Sequence, residues 1–503
     1  MRSIYFLVIS TVFLVTGLIV FKGYYSNDDN SGYNEKLGDL EHFIENSRKI
    51  WQVPGLAVSV IKGDNILFQK GFGTRDIEYG GKVDTHTMFA IGSATKAFTV
   101  TALGILADEG KVDWMEPVIT YMPDFGLSDD WISRHITLHD MLSHQSGLNG
   151  GDADKIWVWS EGYLSRKELL RRLKYQPFSY EFRTTFSYHN LLYLASGEVI
   201  PAVTGIDWDT FIATRLFAPL GMHASNTSIT ALEGIDNVAM PHLLSDKEIK
   251  RISYRNIDTV APAGAINSNI KDMTQWLMFQ IQKGKVNESV LVNPENIIAM
   301  RKPKIMFPIY GENKHYPGAH FVGYSYAWFL HDYKGIEIIE HGGNIDGMTA
   351  LVAMIPEKEI GLVVLSNLNN THIREVIMYE VFDRLLGNTS IEWNNYFQQL
   401  IQDGHDPFIE QNQTQMPTCL LSNYTGQYYD DFYGNVTIGM QEQQLTFTYQ
   451  EKTVILEHWV KDIFRRPYWS IETANIELVR FETDKNCNIT VLEDDTLGVL
   501  RKQ

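Results

Sequence analysis

Cysteine is almost absent from this sequence. Only Cys419 and Cys487 occur among the 503 residues, and neither lies in a histidine-rich or carboxylate-rich pattern of the kind that holds a metal ion. The sequence therefore predicts no metal site. In an oxidising compartment the two thiols can pair within one small domain, while two buried free thiols are an equally good interpretation.

Positive charge is also scarce. The chain has 43 lysine and arginine residues against 61 aspartate and glutamate residues, which gives a formal net charge of −18. Such a charge repels phosphate backbones and anionic lipid surfaces, so we expect no nucleic-acid partner. Internal repeats of solenoid or propeller length are absent as well. The length and the 44% apolar content are enough for two domains.

One long apolar run is present, and it lies at the N-terminus. The residues from Ile4 to Phe21 carry no charge, and the run ends at Lys22. Such a run of about 18 residues is near the minimum for crossing a bilayer and long for the core of a cleaved signal peptide. We therefore assign residues 1–25 to a membrane anchor or a signal peptide, with the anchor favoured. The rest of the chain is expected to be membrane-anchored or secreted, on the non-cytoplasmic side.

The region up to about residue 395 has strand patterns at its two ends and helical patterns between them. The strand patterns cover residues 56–70, 336–340, 350–355 and 360–365. The helical patterns cover residues 94–107, 191–203, 272–282 and 373–386. This order predicts an α/β domain in which helices cover one sheet and an inserted helical lobe lies beside it. The groove between lobe and sheet is the expected ligand site.

A polar segment separates this region from the C-terminus. Residues 396–418 include the stretch Gln411-Asn-Gln-Thr-Gln415 and are predicted to be a linker. After it, short strand patterns recur at 425–429, 435–440, 444–449, 454–459, 476–482 and 489–492. Their length and spacing predict a small all-β domain, a barrel or a sandwich, over residues 419–503.

Serine is followed three residues later by lysine at three places: Ser59/Lys62, Ser93/Lys96 and Ser268/Lys271. Ser59 lies in a predicted strand, where this spacing places the two side chains on opposite faces. Ser268 precedes a predicted helix and fits an N-cap. Ser93 differs, because it follows Gly92 and opens an apolar helix. Ser93 and Lys96 therefore share one helical face.

The chemistry of a serine–lysine pair depends on its surroundings. A serine hydroxyl becomes a nucleophile when a neighbouring base removes its proton, and a lysine at its usual pKa of about 10.4 cannot do this at neutral pH. Burial and the positive end of a helix dipole both disfavour the ammonium form. Lys96 can therefore serve as the base for Ser93, whose own N–H can face an oxyanion. On spacing alone, a capping serine with a surface lysine remains the simpler interpretation.

Two further motifs follow in the chain. Tyr188-His-Asn190 supplies a phenol that can relay a proton to a leaving group and an amide that can bind both the lysine and a substrate carbonyl. An aromatic residue packed at a helix start is the alternative for Tyr188. His341-Gly-Gly343 comes directly after a predicted strand, where its glycines let a substrate backbone approach. The N–H of the next residue, Asn344, can provide a second oxyanion donor.

Ser-x-x-Lys, Tyr-x-Asn and His-x-Gly in this order resemble the family of class C β-lactamases, D-alanyl-D-alanine carboxypeptidases and related esterases. Flanking stretches are similar to that family at residues 136–148, 216–222, 262–268 and 341–347. The resemblance implies a β-lactamase/transpeptidase-like fold over residues 36–395, an antiparallel sheet flanked by helices with a helical lobe. It implies catalytic roles for Ser93, Lys96 and Tyr188, substrate-binding roles for Asn190, His341, Gly343 and Asn344, and no metal or other cofactor.

The activity that this resemblance implies is that of a serine hydrolase forming an acyl-enzyme at Ser93. It would cleave an amide bond in a D-amino-acid peptide, an ester or a β-lactam, so its partners are peptide or small-molecule substrates, and self-association is left open. His341 stands where class C β-lactamases have lysine and is largely neutral at pH 7, so a β-lactam is the least favoured of these three substrates. A catalytically idle scaffold or ligand-binding protein, tethered to the membrane, is the alternative. The intact motif residues argue against it.

The C-terminal tail carries a resemblance of its own. The stretches Tyr424-Thr-Gly-Gln-Tyr428 and Phe481-Glu-Thr-Asp484 are similar to the lipocalin-like domain found at the C-terminus of some of these hydrolases. This implies a β-barrel over residues 419–503.

Overall fold

A computed structural model describes residues 29–160, 163–245, 247–307, 315–387, 391–403, 415–467, 476–495 and 497–503. The predicted anchor or signal peptide, residues 1–25, lies outside these ranges. Within them, no helix has the length and apolar character needed to cross a membrane.

Among the described residues, all helices but one lie between Asp29 and Asp403, and one short helix follows. In chain order these are α1 (Asp29–Lys36), α2 (Leu40–Ile50), α3 (Lys96–Asp108), α4 (Asp130–His135), α5 (Leu138–Leu142), α6 (Gly150–Ser160), α7 (Arg166–Arg172), α8 (Asn190–Thr204), α9 (Trp208–Ile212), α10 (Ala218–Leu220), α11 (Ala261–Gly264), α12 (Ile270–Ile281), α13 (Pro294–Ala299), α14 (Ile373–Leu386), α15 (Trp393–Asp403) and α16 (Leu421–Tyr424). A 3₁₀ turn, Gly92–Thr95, runs directly into α3.

The strands of the N-terminal domain are β1 (Gly55–Lys62), β2 (Asn65–Gly73), β3 (Phe89–Ala90), β4 (His242–Ser245), β5 (Glu248–Arg251), β6 (Asn267–Ser268), β7 (Lys285–Val286), β8 (Ser289–Val290), β9 (Ile305–Phe307), β10 (Val322–Tyr324), β11 (Phe329–Tyr333), β12 (Ile336–Ile345), β13 (Met348–Ile355) and β14 (Ile360–Ser366). Eight of them form one antiparallel sheet in the order β2-β1-β14-β13-β12-β11-β10-β9. The N-terminal hairpin thus pairs with the last strand of the domain, with Lys62 opposite Ile360.

Alternate residues of β1 face two separate apolar cores. Val58 and Val60 are buried against the helices α2 and α14 on one face of the sheet. Ala57 and Ile61 point to the other face, where α12 contributes Leu277 and the helical lobe extends the core. This alternation is what a sheet covered on both sides requires. The predicted sheet flanked by helices, with a helical lobe, is confirmed.

Strand β12 is longer than the sequence predicts. The strand pattern ends at Glu340, but the observed strand continues to Ile345, so His341, Gly343 and Asn344 lie inside it rather than after it. The cause is pairing with β13, which places Gly343 opposite Ala350 and Asn344 opposite Thr349. The N-cap prediction for Ser268 is also wrong, because Asn269 accepts the hydrogen bond from Asp272 at the start of α12 and Ser268 lies in β6.

The C-terminal domain is an antiparallel sheet of nine strands within the described residues. They are β15 (Gly426–Asp430), β16 (Gly434–Gln441), β17 (Gln444–Tyr449), β18 (Lys452–Ile455), β19 (Glu457–Val460), β20 (Ile463–Pro467), β21 (Ile476–Thr483), β22 (Ile489–Asp494) and β23 (Gly498–Lys502), in the order β18-β17-β16-β15-β23-β22-β21-β20-β19. The two edge strands, β18 and β19, are consecutive in the chain and are connected by the single residue Leu456, so the sheet curves into a near-barrel. The predicted all-β domain is confirmed, although its segment 454–459 is two strands, and β20 and β23 were not predicted.

The two cysteines of this domain are paired. Cys419 and Cys487 form a disulfide with their Cα atoms 5.7 Å apart. Of the two interpretations that the sequence left open, pairing within one small domain is the one observed.

Part of the predicted linker is helical. Residues 396–403 continue α15, because Trp393 and Phe397 are buried in the same core as α2 and α14. The helical lobe also contacts the C-terminal domain directly: on α7, the guanidinium of Arg172 donates to the carbonyl oxygens of Tyr433 at 2.6 Å and of Phe432 at 3.2 Å. Buried apolar side chains of the two domains belong to one contiguous cluster.

Candidate active site

Ser93 lies in the 3₁₀ turn at the start of α3, facing the middle of strand β12. Gly92 precedes it with a φ of +51°, and a Cβ atom at Gly92 would lie 2.8 Å from the backbone nitrogen of Asn344. A side chain at this position would therefore be strained and would collide with the strand. Glycine lets the turn approach β12 so closely that Ser93 and Asn344 line the same cavities.

Lys96 is fully buried one turn after Ser93. Its Nζ lies 3.2 Å from Ser93 Oγ and donates to Asn190 Oδ1 at 2.6 Å and to the carbonyl oxygen of Ala263 at 2.8 Å. Burial lowers the pKa of Lys96 to about 7, and the negative charge of Asp154 partly opposes that shift. A lysine with this pKa is neutral in a large fraction of molecules at physiological pH. It can therefore accept a proton from Ser93.

Tyr188 precedes α8, and its ring lies beside the lysine. The ring centroid is 4.6 Å from Lys96 Nζ. Burial raises the pKa of Tyr188 well above 10, while the neighbouring Ser93 hydroxyl partly opposes that shift. Its buried hydroxyl oxygen has no well-aligned hydrogen bond to any residue that the structure describes. Tyr188 is thus a protonated phenol next to Ser93 with its hydrogen-bonding capacity still available.

Asn190 is the first residue of α8 and connects Lys96 to Asp154. Its Oδ1 accepts from Lys96, and its Nδ2 donates to Asp154 Oδ1 at 2.8 Å. Trp157 Nε1 donates to the same carboxylate oxygen at 2.9 Å. Burial raises the pKa of Asp154 to about 6. The sequence interpretation missed Asp154, and no spacing rule connects it to Asn190.

His341 lies on β12 within an aromatic cluster. Its Nδ1 is 2.6 Å from the carbonyl oxygen of Gly342, which can only accept, so Nδ1 carries the proton. Its Nε2 then accepts from the hydroxyl of Tyr324 at 3.1 Å. Burial and the charge of Lys96 lower the pKa of His341 to about 3. The imidazole is therefore neutral, and it offers no positive charge to a substrate carboxylate.

Gly343 allows β12 to pack closely against the turn Gly92–Thr95, which carries Ser93 and is called the nucleophile turn below. A Cβ atom there would lie 1.8 Å from the carbonyl oxygen of Ile91 and 3.1 Å from the backbone nitrogen of Ser93. The carbonyl oxygen of Gly343 accepts from Arg374 Nη1 at 3.1 Å. The guanidinium holds this part of β12 from the side opposite the turn.

A second residue missed from sequence is His144, which supports Tyr188. Its Nδ1 accepts from the backbone N–H of His189 at 3.0 Å, and its ring centroid is 4.4 Å from that of Tyr188. Burial lowers the pKa of His144 well below 6.5, so the ring is neutral. A φ of +60° shows that the backbone is held in a left-handed conformation at this residue. The stretch around His144 was noticed only as part of the family resemblance.

Two cavities meet at Ser93, Tyr188 and Asn344. The first, of about 360 Å³, is also lined by Asp154, Trp157 and Asn190 and by a buried ion pair, Arg255–Asp346. The second, of about 580 Å³, is lined by His341, Glu340, Arg374 and neighbouring aromatic residues. Burial raises the pKa of Glu340 to about 8, although the charge of Arg374 partly opposes this shift. The predicted site residues Ser93, Tyr188, Asn190, His341, Gly343 and Asn344 therefore line one groove, and Lys96 is buried beside it in contact with Ser93 and Asn190.

In the part of the chain that the structure describes, no group of three or more histidine, cysteine, aspartate or glutamate side chains is arranged to hold a metal ion.

Comparison with known proteins identifies the families whose sequences this chain matches. The profile of the family described as "Beta-lactamase" matches residues 40–382, and a domain of unknown function, DUF3471, matches residues 410–497. The unguisins hydrolase ungD′ of Aspergillus campestris is 27% identical over 81% of this chain and 78% of its own length. Protein flp of Staphylococcus aureus strain COL is 23% identical over 68% of this chain and 66% of its own length.

Solved structures support the fold of both parts. The octameric penicillin-binding protein homologue from Pyrococcus abyssi superposes with a TM-score of 0.63 at 22% identity, covering 93% of this chain and 100% of that chain. A D-stereospecific amidohydrolase from Streptomyces sp. superposes with a TM-score of 0.54 at 20% identity, covering 72% of this chain and 100% of that chain. The β-lactamase/transpeptidase fold predicted from the motifs is thereby confirmed.

Proposed function

Because this chain belongs to the beta-lactamase family of serine hydrolases, we propose that it forms an acyl-enzyme at Ser93 and cleaves an amide bond of a D-amino-acid peptide or an ester bond. One observation carries this proposal: Lys96 Nζ lies 3.2 Å from Ser93 Oγ in a buried setting that lowers the lysine pKa to about 7. A capping serine with a surface lysine would have neither property.

The proposed reaction begins with proton transfer from Ser93 Oγ to the neutral amine of Lys96. The oxygen attacks the substrate carbonyl carbon, and the carbonyl oxygen takes the negative charge of the tetrahedral intermediate. The backbone N–H groups of Ser93 and Asn344 donate to that oxyanion. When the bond to the leaving group breaks, Tyr188 donates its proton to the departing nitrogen or oxygen and recovers one from Lys96.

Deacylation reverses these roles. A water molecule attacks the acyl carbonyl and loses its proton to the neutral amine of Lys96, and the bond to Ser93 Oγ breaks as that oxygen takes the proton from Lys96. Asn190 keeps the lysine amine pointed at Ser93 throughout, because its amide oxygen accepts from Nζ at 2.6 Å. No group beyond these side chains and water is required by the proton balance.

Peptide amides and esters are proposed ahead of β-lactams. The neutral His341 offers a substrate carboxylate no positive charge at the position where class C β-lactamases have lysine. The similar proteins include an unguisins hydrolase and a D-stereospecific amidohydrolase, and the name of the second describes hydrolysis of amides. Both facts support acyl transfer from an amide or ester.

A serine-directed probe tests the proposal. A fluorophosphonate should label the purified protein at one site, and Ser93→Ala should abolish labelling. Ser268→Ala is the matched control, because Ser268 is also buried and also precedes a lysine by three residues, but lies in β6 away from the groove. Labelling that persists in Ser93→Ala would refute the nucleophile assignment. No labelling of the wild type would favour the idle scaffold.

We also propose that residues 1–25 tether the enzyme to a membrane, or direct its secretion, with the groove on the non-cytoplasmic side, and that copies of the chain self-associate. The uncharged run from Ile4 to Phe21 supports the first point, and the octameric state named for the Pyrococcus abyssi homologue supports the second. Cell fractionation with and without residues 1–25 tests the first. Light scattering on the purified ectodomain tests the second, and a monomer at micromolar concentration would contradict it.

A further inference from the structure

One carboxylate oxygen of Asp154 faces the first cavity, and no step of the proposed mechanism uses this oxygen. Both of its side-chain hydrogen bonds, from Asn190 Nδ2 at 2.8 Å and from Trp157 Nε1 at 2.9 Å, end on Oδ1. Among the described residues, Oδ2 has no hydrogen-bond donor. The side chain is only partly buried and lines the cavity that opens at Ser93.

The other charges around this cavity are already compensated. Arg255 and Asp346, on the opposite wall, form a buried ion pair with two contacts. On α6 itself, Asp152 is paired with Lys155 at 3.0 Å. From the remaining neighbouring elements, α3 contributes Lys96, which Asn190 separates from Asp154, and the segment before α8 contributes the neutral phenol of Tyr188. The carboxylate of Asp154 is the charge that faces the cavity without a cation beside it.

We infer that Asp154 is a specificity-determining residue that binds an ammonium group on the acyl part of the substrate. This inference rests on the proposed function, because it assumes acylation of Ser93. A half-buried carboxylate forms its strongest hydrogen bonds with cationic donors, and the indole of Trp157 lines the same cavity. A volume of about 360 Å³ suits an acyl group the size of one amino-acid residue. The ammonium is the α-amine or a short basic side chain of that residue.

The same contact connects substrate recognition to catalysis. The negative charge of Asp154 favours the protonated form of Lys96 and so raises the lysine pKa. An ammonium bound to Oδ2 compensates that charge, so Lys96 loses its proton at a lower pH when such a substrate is present. A substrate that carries the cation therefore finds a better base at neutral pH than one that does not.

Three p-nitrophenyl esters separate the possible sources of the cation. The D-alanyl ester carries an α-ammonium group, and the Nα-acetyl-D-lysyl ester carries an ammonium group on its side chain. The N-acetyl-D-alanyl ester carries no ammonium group. Each kcat/KM is divided by the spontaneous hydrolysis rate of the same ester, because an ammonium also activates an ester chemically. We expect one ammonium ester to exceed the neutral ester by tenfold to a hundredfold, on the order of one charge-assisted hydrogen bond.

The decisive variant is Asp154→Asn, which keeps an acceptor for Asn190 and Trp157 but removes the charge. We expect it to lose the preference for the ammonium ester, mainly through a higher KM for that ester, whereas any change in kcat/KM that acts through Asn190 or Lys96 should be the same for all three esters. Asp152→Asn is the matched control, because it removes a charge from the same helix outside the cavity, and it should keep the preference.

Three outcomes would overturn the inference: no preference in the wild type, a preference that survives in Asp154→Asn, or an equal loss on all three esters, which would mean that Asp154 only positions Asn190. Fluorophosphonate labelling of the wild type separates this failure from failure of the proposed function. If Ser93 is labelled and the preference is absent, the hydrolase assignment stands and the role of Asp154 falls. If Ser93 is not labelled, both fall.

Discussion

Replacing Gly343 by alanine tests the geometry of the groove without removing any functional group. The new Cβ atom would lie 1.8 Å from the carbonyl oxygen of Ile91 and 2.8 Å from its carbonyl carbon. Both are backbone atoms of the segment that carries Ser93, so no flexible side chain can give way. Ordinary contacts begin at 3.4 Å, so strand and turn would have to separate by about 1.6 Å, the difference between 3.4 Å and 1.8 Å, because a close-packed core does not absorb such an overlap.

That separation changes the distance between the two proposed oxyanion donors, the N–H groups of Ser93 and Asn344. A misplacement of about 1 Å at an active site can lower a rate by about 10²-fold. Loss of one oxyanion donor costs about 10² to 10³-fold. We therefore expect Gly343→Ala to lower the second-order rate constant for fluorophosphonate labelling by about 10² to 10³-fold, and to lower the unfolding free energy by about 1–3 kcal/mol.

Gly342→Ala is the matched control on the same strand. Its Cβ atom would meet the guanidinium of Arg374, at 3.0 Å from Nη1, and that is the far end of a flexible side chain. We expect its labelling rate to fall by less than tenfold. Circular dichroism and thermal melting of both variants show whether they fold. A folded Gly343→Ala protein that is labelled at the wild-type rate would refute the close packing of β12 against the nucleophile turn.

Three further predictions concern Lys96, Asp154 and the disulfide of the C-terminal domain. Lys96→Arg keeps the positive charge but cannot accept a proton, so the labelling rate should fall by about 10³-fold or more, and a loss below tenfold would exclude Lys96 as the base. Because the base must be neutral, log kcat/KM of the wild type should decrease as the pH is lowered past about 7, which is the pKa of Lys96. Asp154→Asn removes the negative charge that raises the lysine pKa, so this acidic limb of the pH profile should move to lower pH. An acidic limb that stays in place or moves to higher pH would contradict the coupling between Asp154 and Lys96. Replacing Cys419 and Cys487 together by alanine opens a loop of 68 residues and should lower the unfolding free energy of the C-terminal domain by about 4 kcal/mol. Denaturant unfolding with and without reductant measures this effect. An unchanged unfolding midpoint would show that the disulfide contributes nothing to stability.

The serine–lysine pair could be predicted from sequence because its geometry is local. A spacing of three residues at a helix start places both side chains on one face, which allows the observed distance of 3.2 Å between Lys96 Nζ and Ser93 Oγ. What the sequence could not show is that Lys96 is fully buried, since burial depends on α8 and α11 closing over it. The resemblance to a known family replaced that missing information.

Asp154 and His144 were missed for the opposite reason. Asp154 contacts Asn190 across 36 residues, and His144 contacts His189 across 45 residues. Neither pair has a spacing that predicts contact. Their roles depend on how three helices of the lobe pack together.

In the C-terminal domain, strand β20 was missed because it carries two adjacent arginines. Arg466 is nevertheless fully buried, because it forms an ion pair with Asp494 on β22 with two contacts of 2.7 Å. A strand pattern based on apolar alternation does not anticipate a buried charge whose partner lies 28 residues away. In the N-terminal domain, residues 396–403 of α15 were taken for a linker because the chain becomes polar there, although Trp393 and Phe397 anchor this helix in the core.

The order of strands in the central sheet determines when this protein can finish folding during its synthesis. The hairpin β1–β2 is translated early, but its partner β14 is translated about 300 residues later, at a rate of about 5 to 20 residues per second. For roughly 15 to 60 s the open edge of β1 therefore has no strand to pair with. An unpaired strand with apolar residues on both faces invites association with other chains. We expect the nascent chain to depend on a chaperone that covers this edge until β14 arrives.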